Sequence, residues 1–290
     1  MTISDALARA KGILIDLDGC FLHGNALAPG ARALYERFAD RVAFVSNNST
    51  HTPEEMSAEL AIAGVRAPPE RIVLAGAQAV AWLATHRGTA RIFPLASRSI
   101  RQSARKHGLV LTAEEPEIVL LCRDVELSYE RLAIAIAALQ EGAELIVANS
   151  DLTQPGASGV LVPETGMLVA ALRAAVPSAT PIVVGKPRVT MFAAALRVLG
   201  VRPEQAAMIG DNPVTGGAGA SALGIPFCLL AGGRDRRSAD GSRRLIAQPA
   251  RRQTAVSSPA PISRVPPVLL TARCTDGRRM ALRANPAVSA

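Results

Sequence analysis

Short apolar runs alternate with stretches of helical spacing along the first 230 residues. GILIDL (12–17) is strand-like, and a helical pattern follows from Pro29 to Asp40, with proline suited to the first turn. VAFVS (42–46) precedes a helix opening at Thr52-Pro53-Glu54-Glu55, an N-terminus signature. RIVLA (71–75) leads into a helix through Trp82. ARIFPL (90–95), a helix over 97–107, EIVLLC (117–122), a helix from Ser128 to Gln140 and ELIVAN (144–149) repeat the rhythm. PIVVG (181–185) precedes a helix from Arg188 to Leu199, AAMIG (206–210) a helical stretch to Leu223, and PFCLL (226–230) is one more strand.

Strands alternating with helices predict an α/β fold with parallel sheets and right-handed crossovers. Four of the strands end at polar residues: Asp16 and Asp18, Ser46 and Asn47, Lys186, and Asp211. Open α/β sheets bind ligands at that end of their strands. The second and third groups lie about 140 residues apart, far more than one crossover needs. A second α/β unit is therefore expected at 83–176, inserted between core segments 1–82 and 177–230.

The residue types suit phosphoryl transfer assisted by Mg²⁺. A carboxylate can attack phosphorus and hold it as an aspartyl phosphate, and a second acid can protonate the leaving oxygen and then take a proton from water. A lysine, donors and a hard cation offset the phosphoryl charge. Each signal alone has an ordinary explanation. DxDG is often a polar turn, GDN is common turn composition, SNNST suits a helix N-cap, and a lysine before proline is usually a surface residue.

In this order the segments DLDGCFLHGNALAPGA, SNNSTHTPEE, ANSDLTQP, VGKPRVTMF and IGDNPVTGGAGASALG resemble the haloacid-dehalogenase (HAD) superfamily phosphatases, in their NagD-like subfamily IIA. The resemblance runs from about Lys11 to Leu230. It implies a Rossmann-like doubly wound parallel sheet with an inserted C2-type cap, and a Mg²⁺-dependent phosphomonoesterase acting on a small phosphorylated metabolite. It casts Asp16 as nucleophile and Asp18 as general acid/base. Ser46 and Asn47 would hold the phosphoryl group and Lys186 would neutralise it. Asp16, Asp211 and the carbonyl of Asp18 would bind Mg²⁺, and Asn149, Ser150 and Asp151 would touch substrate from the cap. The alternative for the last three is an Asx-turn before Pro155. His23, His51 and Arg123 are read either as substrate neighbours or as surface residues.

Two positions depart from the family pattern. Gly216 stands where an acid usually follows Thr215, and Cys20 where Thr or Val is usual. Gly216 motivates an alternative reading, a catalytically weakened phosphate-binding or regulatory protein.

The formal charge of +8 does not describe the body of the chain. Residues 231–290 hold twelve arginines and three aspartates, so they carry +9 and residues 1–230 carry −1. This segment lacks aromatics and is rich in Arg, Pro, Ser and Ala, a composition expected to be disordered. A nucleic-acid arm is a weaker reading, since stacking aromatics are absent. A reading-frame change near Gly232 or divergence of the end would account for its composition. Cys20, Cys122, Cys228 and Cys274 have no CxxC spacing, so buried free thiols are expected. No apolar run reaches membrane-spanning length and no signal-peptide core precedes the first strand, so the expected setting is cytoplasmic. A homo-oligomer through the cap stays open.

Overall fold

The computed structural model describes residues 7–24, 26–155 and 160–230. The segment 231–290, with its disorder, reading-frame and nucleic-acid readings and Cys274, lies outside the described residues.

The chain opens with β1 (Gly12–Ile15), a small hairpin of β2 (Leu22–His23) and β3 (Ala26–Leu27), and α1 (Ala31–Phe38). It continues through β4 (Val42–Ser46), α2 (Pro53–Ile62), β5 (Ile72–Leu74) and α3 (Ala75–His86). Next come β6 (Arg91–Leu95), α4 (Arg98–Lys106), β7 (Val110–Leu111), β8 (Ile118–Leu121), α5 (Tyr129–Gln140) and β9 (Glu144–Val147). A hairpin of β10 (Thr153–Pro155) and β11 (Leu161–Pro163), then α6 (Thr165–Ala175) and β12 (Pro181–Val183), follow. The chain returns through α7 (Val189–Leu199), β13 (Ala206–Gly210), a wide π-type turn at Pro213–Gly217, α8 (Ala218–Ala222) and β14 (Phe227–Leu229).

Two five-stranded parallel sheets result, in the orders β14-β13-β1-β4-β5 and β12-β9-β8-β6-β7. Buried apolar strands such as GILI and IVLL are what a sheet covered on both faces requires. One apolar cluster joins the two sheets: Leu14, Val45 and Val73 share it with Ile92, Leu120 and Ile146. The α/β class and the inserted cap stand as the resemblance implies.

The expected boundaries shift. Residue 83 falls inside α3, a continuous helix that leaves β5 and ends at His86. PIVVG, assigned to the returning core, forms β12 on the edge of the cap sheet instead, with Pro181, Ile182 and Val183 opposite Leu145, Ile146 and Val147. Backbone bonds from Val184 and Gly185 to Val147 and Ala148 extend that pairing, so the chain leaves the cap only at Lys186. An apolar run of this kind suits either sheet, and its sequence does not say which.

Local signals explain several element ends. Thr52 and Glu55 form the reciprocal capping box of α2, with Pro53 inside the start. Pro29 lies outside α1, whose N-cap is Gly30. β7, the β10–β11 hairpin and α6 were not among the expected elements. The helix α6 starts behind Glu164 rather than behind a Ser, Thr, Asp or Asn cap.

Candidate active site

Three neighbouring core strands deliver polar residues to one edge. β1 ends just before Asp16, β4 ends at Ser46, and β13 ends just before Asp211. Beyond β1 the chain turns sharply: Gly19 N–H donates to Leu22 O, and Phe21 and Leu22 donate back to Leu17 O. Gly19 has φ +78°, and a side chain there would fall on the Asp211 carboxylate, so glycine lets motifs one and four meet. Phe21 is buried against Phe44 of β4, ring centroids 4.8 Å apart, which anchors the turn in the core.

Lys186 arrives from the cap sheet and places Nζ 2.6 Å from Asp16 Oδ1. The same Nζ donates to Val45 O at 3.0 Å. Both side chains are almost fully buried. Burial pushes the Asp16 carboxyl up to about 6; Lys186 opposes that shift, while Asp211 and Asp18 add to it. Burial also raises Asp211. Ser46 Oγ donates to Asp18 Oδ2 at 2.7 Å and accepts from Asn48 N–H at 2.9 Å, fixing the second acid.

Motif two also carries the junction with the cap. Asn47 Oδ1 accepts from Lys186 N–H at 2.7 Å, and its Nδ2 donates to Asp151 Oδ2 at 2.8 Å. A Cβ on Gly185 would lie 2.7 Å from that Oδ1, so glycine permits the approach. Asn149 Nδ2 donates to Asn47 O at 2.8 Å, and its Oδ1 accepts from Asp151 N–H. These bonds engage four of the residues expected to contact substrate. Asn149 is 1% exposed with both ends of its amide engaged, so it joins cap to core. The Asn47 side chain is likewise engaged, the Ser46 hydroxyl is directed at Asp18, and Asp151 reaches the site through Asn47.

Sequence reasoning passed over Ser49 and Thr165, which are buried and bonded to each other at 3.2 Å. Ser49 Oγ also accepts from Arg123 N–H at 2.9 Å. It overlooked Glu164 as well, which pairs with Arg123. Their only sequence signal is the polar run after VAFVS and the break before α6. Of the two histidines beside the first and second motifs, His51 contacts Asn48 and Glu59 and His23 is exposed. Cys20, Cys122 and Cys228 are buried and free.

A family model described as haloacid dehalogenase-like hydrolase matches residues 13–110, and one described as HAD-hydrolase-like matches 183–257. The second match runs past Leu230, where the resemblance was expected to stop. A dihydroxyacetone phosphatase from Corynebacterium glutamicum is 32% identical over 223 residues, covering 76% of this chain and 80% of the relative. The chain belongs to the haloacid dehalogenase-like hydrolase family. Within it, the chain is a phosphatase of the NagD-like branch. A 5'-nucleotidase from Bacillus subtilis is 30% identical over 71% of this chain and 80% of its own length. Among solved structures, a 4-nitrophenylphosphatase from Thermotoga maritima matches with TM-score 0.73 and 28% identity, covering 78% and 88% of the two chains. A glycerol phosphate phosphatase from Mycobacterium tuberculosis in complex with magnesium matches with TM-score 0.71 and 30% identity, over 77% and 68%.

For a HAD phosphatase, the donor set bears on the metal. Among the described residues no group of three or more His, Cys, Asp or Glu side chains converges as a metal cage. Mg²⁺ does not require one, since it keeps several waters and takes one or two carboxylates. Asp16 and Asp211 supply two, from adjacent strand ends, and their mutual repulsion is what a cation would relieve. The two carboxylates present therefore fit the ion. Gly216 is buried beside them: its Cβ position lies 3.9 Å from Asp16 Oδ2, 3.4 Å from Met208 Cε and 3.5 Å from Phe227 Cε2. No helix among the described residues is long and apolar enough to cross a membrane.

Proposed function

We propose that this phosphatase hydrolyses a small phosphorylated metabolite through an aspartyl phosphate on Asp16, with Mg²⁺ held by Asp16, Asp211 and the Asp18 carbonyl. The observation that carries the reading is the pairing of Asp16 with Lys186 at 2.6 Å beside an Asp18 oriented by Ser46. Lys186 fixes Asp16 Oδ1, leaving Oδ2 to attack phosphorus as the ester P–O bond breaks. Asp18 gives its proton to the departing oxygen. It then takes a proton from the water that cleaves the acyl phosphate, releasing phosphate and restoring Asp16. The bound cation supplies charge stabilisation for the phosphoryl oxygens. A cytoplasmic setting is supported by the buried, free thiols of Cys20, Cys122 and Cys228.

The test is phosphate release from a panel of phosphomonoesters, with Mg²⁺ and with EDTA. Turnover that needs the metal supports the reading; turnover unaffected by EDTA overturns the metal assignment. One observation favours a second reading, a phosphate-binding protein with weakened turnover: Gly216 provides no side chain to support the metal site. Mg²⁺-dependent phosphate binding without release would select it.

A further inference from the structure

Arg123 and Glu164 sit on the cap side of the site, outside the set that handles the phosphoryl group. Arg123 lies two residues beyond β8, and its N–H donates to Ser49 Oγ. Glu164 lies between β11 and α6, next to Thr165, which meets the same hydroxyl. Arg123 and the neighbour of Glu164 thus bond one buried serine, three positions after Ser46. Their side chains meet with Arg123 Nε 3.5 Å from Glu164 Oε1, and they are 26% and 10% exposed. Among the described residues the guanidinium has this ion pair and no hydrogen bond, so most of its donors are uncommitted. Glu164 Oε2 accepts from Thr165 N–H. Burial raises the Glu164 carboxyl, against the Thr165 N–H and Arg123, which lower it. Gly166 N–H donates to Asp151 O, so Asp151 stands on the same turn and brings a second carboxylate to the pair.

Resting on the phosphatase reading, we infer that Arg123 and Glu164 read the leaving group and select a neutral, hydroxyl-bearing one, such as a polyol or sugar, over one carrying a second anionic group. Glu164 can accept from a hydroxyl while Arg123 donates to one, so the pair suits a group that does both. A second anion would meet Asp151 and Glu164 against one guanidinium that Glu164 already offsets. Like-charge juxtaposition of this kind discriminates strongly between ligands.

The experiment compares glycerol 3-phosphate with phosphoglycolate. They share the phosphoryl group and differ in hydroxyls against a carboxylate. Calorimetric Kd values are measured on the full chain carrying Asp16→Asn, which blocks turnover, with Glu164→Gln and Arg123→Gln added separately; kcat/KM is measured with Asp16 intact. Glycerol 3-phosphate should bind more tightly. Glu164→Gln should narrow the preference by about tenfold, and Arg123→Gln should widen it while weakening glycerol 3-phosphate. A packing role alone would weaken both ligands and leave their ratio fixed. A ratio unchanged within about twofold in Glu164→Gln, or an initial preference for phosphoglycolate, overturns the inference. Selective binding without turnover would fail the catalytic reading and leave this one standing; turnover with an unmoved ratio does the reverse.

Discussion

The core side of the site and the cap side are built from different interactions. On the core side, charge meets charge in a dry setting: Lys186 against Asp16, with Asp211 and Asp18 close enough to shift Asp16. On the cap side, the junction rests on hydroxyls, amides and backbone groups: Ser49 with Thr165 and Arg123, Asn149 with Asn47, and Ser97 Oγ with Thr50 O. Removing a charged partner on the core side should remove chemistry. Removing a neutral partner on the cap side should loosen alignment and leave the reaction possible.

The sharpest test of that contrast is Asp16→Asn. An amide cannot form the acyl phosphate, so turnover should vanish while circular dichroism and the melting profile stay near those of the parent. Residual turnover at the parent rate would sink the covalent route. Asp18→Asn should come next, slowing phosphate release by about 10²–10⁴ in steady state, because one group serves both proton transfers. A change under threefold would mean that Asp18 is held by Ser46 for structural reasons only.

The same contrast explains what could be read from the sequence. That Asp16, Asp18, Lys186 and Asp211 would lie together was legible, because each follows an apolar run and parallel sheets align such strand ends at one edge. The alternating runs gave the α/β class for a similar reason, since buried parallel strands leave apolar blocks. The cap junction was not legible. Ser49 and Thr165 are ordinary residues whose role comes from burial and from a bond to each other across 116 positions. Asn149 was singled out for its position, but its bonds across the cap junction were not visible, because a sequence does not show what the two ends of an amide meet. β12 was misplaced because edge pairing with β9 is a tertiary choice that PIVVG leaves open.

On the cap side, Ser49→Ala leaves the Arg123 N–H and the Thr165 hydroxyl without their buried partner. The cost should be about 1–3 kcal/mol of stability, read from chemical denaturation. KM should rise more than kcat falls, since the carboxylates and Lys186 are untouched. A loss of kcat as large as that of Asp18→Asn, with stability unchanged, would erase the distinction between the two halves.

The smallest effect is expected where the core side is incomplete. Glycine at 216 leaves no side chain in a buried position facing Asp16. A Cβ at this point meets Met208, Phe227 and Asp16 at 3.4–3.9 Å, ordinary contact distances, so a side chain can start here without moving backbone. The carboxylate of an aspartate there would add a third negative group beside Asp16 and Asp211. Without metal that repulsion should lower the melting temperature. With Mg²⁺ it should orient a bound water and tighten apparent affinity by about tenfold, the low end of what supporting partners contribute. Gly216→Asp should therefore melt earlier than the parent in EDTA and later in millimolar Mg²⁺, and reach half-maximal activity at lower metal. If the two melting curves shift together and the metal titration does not move, position 216 does not support the metal, and the core side is already as complete as its four charged residues make it.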